Sequence, residues 1–331
     1  MSRSWQFWLG LLVSAVFLYL ALVGLRLDEV WQNIRTARYA WLIPGVAVYF
    51  LAVWGRTWRW HYLLASIQKI KLSSLFPVVV IGYMGNNIYP ARAGEVLRAY
   101  VLKRREGVSI SSSLATILVE RVFDGVVMLF FIFVSLPFAP MPPYLRQLVV
   151  WSSILFFGVL GGFFLIASKP DWAKSLYYRT IESFIPARFR AKVEGILDRF
   201  MEGLGGLRRP QDVLMIFFTS VFIWLTETTK YWFVMHGFEF HVPFYVLMLM
   251  TAVVNLATTL PSSPGYIGTF DAPGIRILVQ FGVPGPIAAG YTLVLHAALW
   301  LPITLLGIFY MLKESIAWKE VQADVAGGTG K

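Results

Sequence analysis

The residues able to do chemistry fall into four groups. The first is Asn86-Asn87-Ile-Tyr-Pro90-Ala-Arg92-Ala-Gly94-Glu95-Val-Leu-Arg98. The guanidinium groups of Arg92 and Arg98 can grip a phosphate bidentately. A helix restarting near Gly94 would turn free backbone N–H groups toward the same anion. The plainer reading is that Glu95 pairs with Arg92 or Arg98 and stabilises the break. The second group is Glu120-Arg121-Val-Phe-Asp124-Gly125. Glu120 and Asp124 share one helical face and repel unless a cation or proton stands between them. Either a salt-bridge network with Arg92 or Arg98, or a proton or cation site, answers that need. The third is Glu227 and Lys230, spaced for an intrahelical ion pair. The fourth is Pro261-Ser262-Ser263-Pro264-Gly265-Tyr266-Ile-Gly268-Thr-Phe-Asp271, which offers hydroxyls and free backbone groups for a polar gate or a lipid head group. His296 lies alone in an apolar stretch and reads as a packed residue rather than a ligand. No nucleotide loop, nucleophile elbow or metal-ligand cluster is visible, so no catalytic residue, metal or cofactor is expected.

These groups sit in a chain that cannot cover itself with charge. Of its 331 residues, 57% are hydrophobic and 14% charged, against about 25% charged in soluble domains. Mean hydropathy is +0.65. The 13 Trp and 15 Tyr suit interfacial belts. Cysteine is absent, which excludes disulfides, thiolate metal sites and a cysteine nucleophile. The net charge of +11 does not point to nucleic acid, because the basic surface of such a binder would sit on an otherwise soluble fold. The class expected is an all-α polytopic membrane protein.

About six full spans are expected, at roughly Trp5–Leu25, Tyr39–Trp54, Ile110–Pro137, Leu148–Ala167, Val213–Met235 and Ile287–Leu312. Two more apolar stretches, Phe76–Tyr89 and Phe244–Leu260, run into the Pro- and Gly-rich breaks of the first and fourth groups. Helices cannot continue through such breaks, and bare backbone cannot face lipid. Both are therefore expected to be broken or re-entrant hairpins of opposite orientation, with their tips inside protein. The spacing Pro90 to Gly94 recurs as Pro261 to Gly265. Opposed broken helices in two halves of a chain are the mark of an inverted repeat with its site near the midplane.

Most of the 29 Lys and Arg residues fall in five stretches: Arg3, Arg56 to Lys71, Arg92 to Arg105, Lys169 to Arg209, and the tail from Lys313. The positive-inside rule puts these on the cytoplasmic side of a cell membrane, with both termini. Residues 168–212 form an insert in the single domain 1–322. In it Phe189, Val193, Ile196, Leu197, Phe200, Leu204 and Leu207 recur at helical spacing. They predict an amphipathic helix on the cytoplasmic leaflet, or an ordinary inside loop. Residues 323–331 read as a disordered tail.

NNxxPARAGEVLRAYVL (Asn86–Leu102), ERVFDG (Glu120–Gly125) and LPSSPGYIGTFDA (Leu260–Ala272), in that order, resemble the lysylphosphatidylglycerol synthase transmembrane, or flippase-like, family. In its bifunctional members a cytosolic domain transfers lysine from aminoacyl-tRNA to phosphatidylglycerol, and the membrane part moves the product lipid between leaflets. The sequence ends at Lys331 without such a domain, so the resemblance implies lipid handling and argues against aminoacyl transfer. The expected partners are phospholipids or glycolipids, anionic ones above all, with a homo-oligomer allowed for. The head-group contacts are then Asn86, Asn87, Arg92, Glu95, Arg98, Ser262, Ser263 and Tyr266. Glu120, Arg121, Asp124, Glu227, Lys230 and Asp271 form an intramembrane charge network. Two alternatives stand beside this. One is an enzyme or accessory of polyprenyl-phosphate-linked sugar transfer, with Glu120 or Asp124 as base. The other is an ion-coupled small-solute transporter.

Overall fold

The computed structural model describes residues 12, 15–19, 23–89, 92–138, 143–176, 178–179, 187–207, 209–259 and 263–313. Most of the first expected span, the tail after Lys313, and Pro90, Pro261 and Ser262 lie outside them. Among the described residues every regular element is helical. They are α1 (Leu27–Thr36), α2 (Leu42–Leu64), α3 (Leu72–Ile88), α4 (Ala93–Glu106), α5 (Ile110–Ser135), α6 (Pro143–Ser168), α7 (Pro170–Leu176), α8 (Ala187–Gly203), α9 (Pro210–Met235), α10 (Phe244–Ala257), α11 (Asp271–Gln280) and α12 (Gly285–Lys313). By length and composition, α2 with its leading turn (Tyr39–Leu64), Val149–Ile166 within α6, α9 and α12 can each cross a membrane. Helix α5 has the length but carries Glu120, Arg121 and Asp124. It can hold them because it is buried on nearly every face, from Ser112 to Ser135. Helix α6 is the peripheral one, with Trp151, Ile154 and Leu155 exposed.

The remaining arms are short. At 1.5 Å per residue, α10 is about 21 Å long and α11 about 15 Å, against a hydrocarbon core of about 30 Å. Helices α3 and α4 pack together as one hairpin, and α10 and α11 as another. The first turns through Arg92 (φ 52°) and the second through Gly265 and Tyr266 (φ 72° and 61°), all left-handed. Each hairpin lies between two long helices, α2 and α5 in the first case, α9 and α12 in the second. The order long helix, hairpin, long helix thus occurs twice.

Contacts with α12 give the directions. Along the first hairpin, Phe76 meets Tyr310, Met84 meets Gly307, and Asn87 reaches Thr304 and Trp300. Along the second, Gly274 meets Thr292 while Asp271 and Gly265 meet His296. The hairpins therefore enter from opposite ends of α12, and their tips meet between His296 and Trp300, halfway along a 29-residue helix. This is the arrangement expected of opposed re-entrant segments.

One expectation needs correction. The span expected to stop at Trp54 continues to Leu64, so Arg56 and Arg59 are not cytoplasmic-loop residues. They are 5% and 1% exposed, inside the bundle. Hydropathy falls there because of the arginines, but acids on other helices pair with both. The insert contains the helix α8, and its C-terminal end packs on α5. Gly203 lies against Ala115 and Ser112, and Leu204 and Leu207 are buried.

Candidate functional site

A cavity of about 140 Å³ opens where the two tips meet α12. The first hairpin contributes Asn86, Asn87 and Arg92 to its wall, and the second Asn255, Thr258, Gly265 and Tyr266. Arg56 comes from α2, Arg121 from α5, Glu227 from α9 and His296 from α12. Backbone geometry explains why the tips can approach so closely. Arg92 precedes α4 in the left-handed region and donates from Nη2 to the Thr258 carbonyl at 2.9 Å, tying the first tip to the end of α10. Its guanidinium also lies over the Tyr266 ring, 5.7 Å from the centroid. Trp300 donates from Nε1 to the Asn87 carbonyl at 3.3 Å.

One continuous chain of alternating charges runs into this wall. Arg98 Nη1 donates to Glu120 Oε2 at 2.7 Å, and Glu120 lies 3.7 Å from Arg59 Nε. Arg59 Nη1 donates to Asp124 Oδ1 and to Ser220 Oγ, each at 2.6 Å. Asp124 also accepts from Trp224 Nε1 at 2.8 Å and faces Arg121 at 3.4 Å. Arg121 then faces Glu95 at 3.5 Å, and Glu95 faces Arg92 at 3.6 Å. The run has four cations and three carboxylates, and its exposed end is Arg92. A second, shorter run contributes the other edge. Arg56 Nη1 lies 2.6 Å from Glu227 Oε1, and Lys230 donates to Glu227 Oε2. Arg56 sits between the rings of Tyr83 and Trp224, at 5.4 and 5.1 Å from their centroids, which screens its charge from lipid.

The sum is a positive cavity. Arg56, Arg92 and Arg121 line it, and the one lining carboxylate, Glu227, is shared between Arg56 and Lys230. Guanidinium groups in such a wall are able to pair with an oxyanion.

The expected site residues divide accordingly. Asn86, Asn87, Arg92 and Tyr266 line the cavity, as do Arg121 and Glu227 from the expected network. Arg98 does not. It is 4% exposed, paired with Glu120, with the Trp60 ring 3.6 Å from its guanidinium. Glu95 holds Arg92 and Arg121 from behind, Ser263 is buried in the second tip, and Ser262 lies outside the described residues. Glu120 and Asp124 are paired by cations and lie outside the lining. The inter-helix partner expected for this acidic pair was Arg92 or Arg98; Arg98 does pair with Glu120, whereas Asp124 pairs with Arg59 and Arg121. His296 is likewise not a lone packed residue. It bridges Asp271 at 2.9 Å and the Gly265 carbonyl at 2.7 Å. Sequence reasoning missed Arg56 and Arg59 as interior groups. Their signal was there: two arginines three apart among three tryptophans (Trp54, Trp58 and Trp60), in a helix with no break before Leu64.

The family model described as the lysylphosphatidylglycerol synthase TM region matches residues 7–307. The chain belongs to that family. Relatives within reach of it include a UPF0104 membrane protein of Methanothermobacter thermautotrophicus, 26% identical over 289 residues, covering 82% of this chain and 83% of the relative. A UPF0104 membrane protein of Methanocaldococcus jannaschii is 23% identical over 314 residues, covering 91% and 93%. The glycosyltransferase AglD of Haloferax volcanii is 25% identical over 334 residues, covering 90% of this chain but 52% of that protein. No solved structure matches. The family match reaches both hairpins, so the cavity lies within the shared region. It is a membrane-protein family, which agrees with the apolar helices described above.

Proposed function

We propose that this lysylphosphatidylglycerol synthase TM-region protein carries a phosphate-bearing lipid head group between membrane leaflets. The observation that supports the reading best is the cavity itself: three arginines and one shared carboxylate, enclosed by two opposed hairpin tips at the middle of α12. The head group would occupy this polar space, while the acyl chains stay in the bilayer beside exposed apolar flanks such as that of α6. Access would alternate as one hairpin or the other withdraws from the tip junction.

The test is reconstitution with a fluorescently labelled anionic phospholipid, following its movement between leaflets. Each charge-assisted hydrogen bond contributes about 1.5–3 kcal/mol, so Arg92→Gln or Arg121→Gln should slow translocation by about tenfold or more. Arg98→Gln acts on the fold instead and should lower the amount of folded protein. Wild-type vesicles no faster than protein-free vesicles would overturn the reading. The likeness to AglD favours a second one, an accessory role in handling a glycolipid, because that relative is named a glycosyltransferase. Dependence of sugar transfer on this protein, with no lipid movement by the purified chain, would select it.

A further inference from the structure

The second tip carries a hydrogen-bond arrangement that the head-group reading does not use. His296 Nδ1 faces Asp271 Oδ1 at 2.9 Å, and Nε2 faces the Gly265 carbonyl oxygen at 2.7 Å. Asp271 Oδ2 already accepts the Gly268 backbone N–H at 2.8 Å. A carbonyl can only accept, an ionised carboxylate can only accept, and a neutral imidazole has a single N–H. With one proton on the ring, two lone pairs would face each other across one of these short contacts. The geometry therefore requires one proton more than a carboxylate and a neutral imidazole hold. That proton lies on the line between Nδ1 and Oδ1. Asp271 is 1% exposed and the Phe270 ring packs on the imidazole with centroids 4.5 Å apart, so water does not substitute for it.

We propose that the Asp271–His296 pair is a proton-binding site that latches the second hairpin tip to α12. Other charged or titratable groups around it are Tyr266 in the tip, Arg276 on α11, and Arg56, Arg92, Arg121 and Glu227 across the cavity. Among the described residues none of these hydrogen-bonds to the pair. On α12 itself the next charge is Lys313. When the proton leaves, the imidazole keeps its remaining hydrogen toward the carboxylate, which is the stronger acceptor. Nε2 is then a bare lone pair pointing at the Gly265 oxygen. The contact that holds Gly265 and Tyr266 in their left-handed turn becomes repulsive, and the tip is released toward the cavity. The latch stands on this geometry whether or not the cavity carries lipid.

Two measurements on the full chain in nanodiscs test it. The protein has four histidines and no cysteine, so ring nitrogen signals are few and a single introduced thiol is unique. The signal removed by His296→Gln should pass in one step from a doubly to a singly protonated ring as pH rises, and Asp271→Asn should leave that ring neutral. In Ser263→Cys protein, maleimide labelling, normalised to the exposed Ser66→Cys variant, should rise by up to about tenfold per pH unit as the pH approaches the step from below and level off above it. Adding His296→Gln should remove that dependence. A His296 ring that stays neutral throughout overturns the proposal. So does normalised labelling that does not change with pH. Because neither readout involves lipid, loss of the transport reading would leave both results standing.

Discussion

Arg59→Met will lower the stability of the detergent-solubilised protein by about 3–5 kcal/mol, the cost of stripping the partner from a buried charge. Arg59 is fully enclosed and bonds Asp124 and Ser220 at 2.6 Å while lying beside Glu120. Methionine fills similar volume, so the loss is one of charge compensation rather than packing. Asp124 keeps Arg121 and Trp224, and Glu120 keeps Arg98, but the central link that ties α2 to α5 is gone. Adding Asp124→Asn to Arg59→Met should recover part of the loss, since the carboxylate that has lost its shortest ion pair goes with it. Denaturant unfolding monitored by tryptophan fluorescence reads both. If the double variant is no more stable than the single one, the network is not what holds these helices together.

The second large effect is expected at Gly94. A Cβ placed there would lie 2.0 Å from the Gly82 carbonyl oxygen and 2.4 Å from the Asn86 backbone nitrogen. Both obstacles are main chain, so no rotamer change relieves them. Gly94→Ala should cost about 3 kcal/mol or more and separate the arms of the first hairpin. Gly158→Ala on the peripheral helix α6, where nothing lies within 4 Å, should be neutral or gain up to about 1 kcal/mol from helix propensity. The pair separates close approach from any general intolerance of alanine. Thermal unfolding of the two proteins side by side is sufficient to decide it.

The hairpins were legible in the sequence because Pro and Gly interrupt apolar runs in a way that leaves few structural options. Phe76–Tyr89 and Phe244–Leu260 had nowhere to go but back. The intrahelical pair Glu227 and Lys230 was legible for the same reason: both partners sit on one helix with fixed spacing. What stayed hidden was long-range pairing. Nothing local says that Asp124 belongs to Arg59, 65 residues away, or that Glu227 also belongs to Arg56. Hydropathy moreover misplaced both arginines, because a window average treats any guanidinium as a reason to leave the membrane. His296 was underrated likewise, its two partners lying 25 and 31 residues back in the chain. The folded chain turned a list of candidate charges into a lining set and a supporting set. Arg92 and Arg121 fall in the first, and Arg98, Glu120 and Asp124 in the second.

That both tips bind the same stretch of α12 has a mechanical consequence. Asn87 is held through Thr304 and Trp300, and Gly265 through His296, one turn further along the same rod. Neither hairpin can slide without shearing its own contacts on α12, and a shift of α12 that loosens one tip pushes on the other. The helix is thus an interlock, of the kind that keeps two doors of an airlock from standing open together. Under the reading proposed above, such coupling through one helix would keep the two tips from withdrawing together.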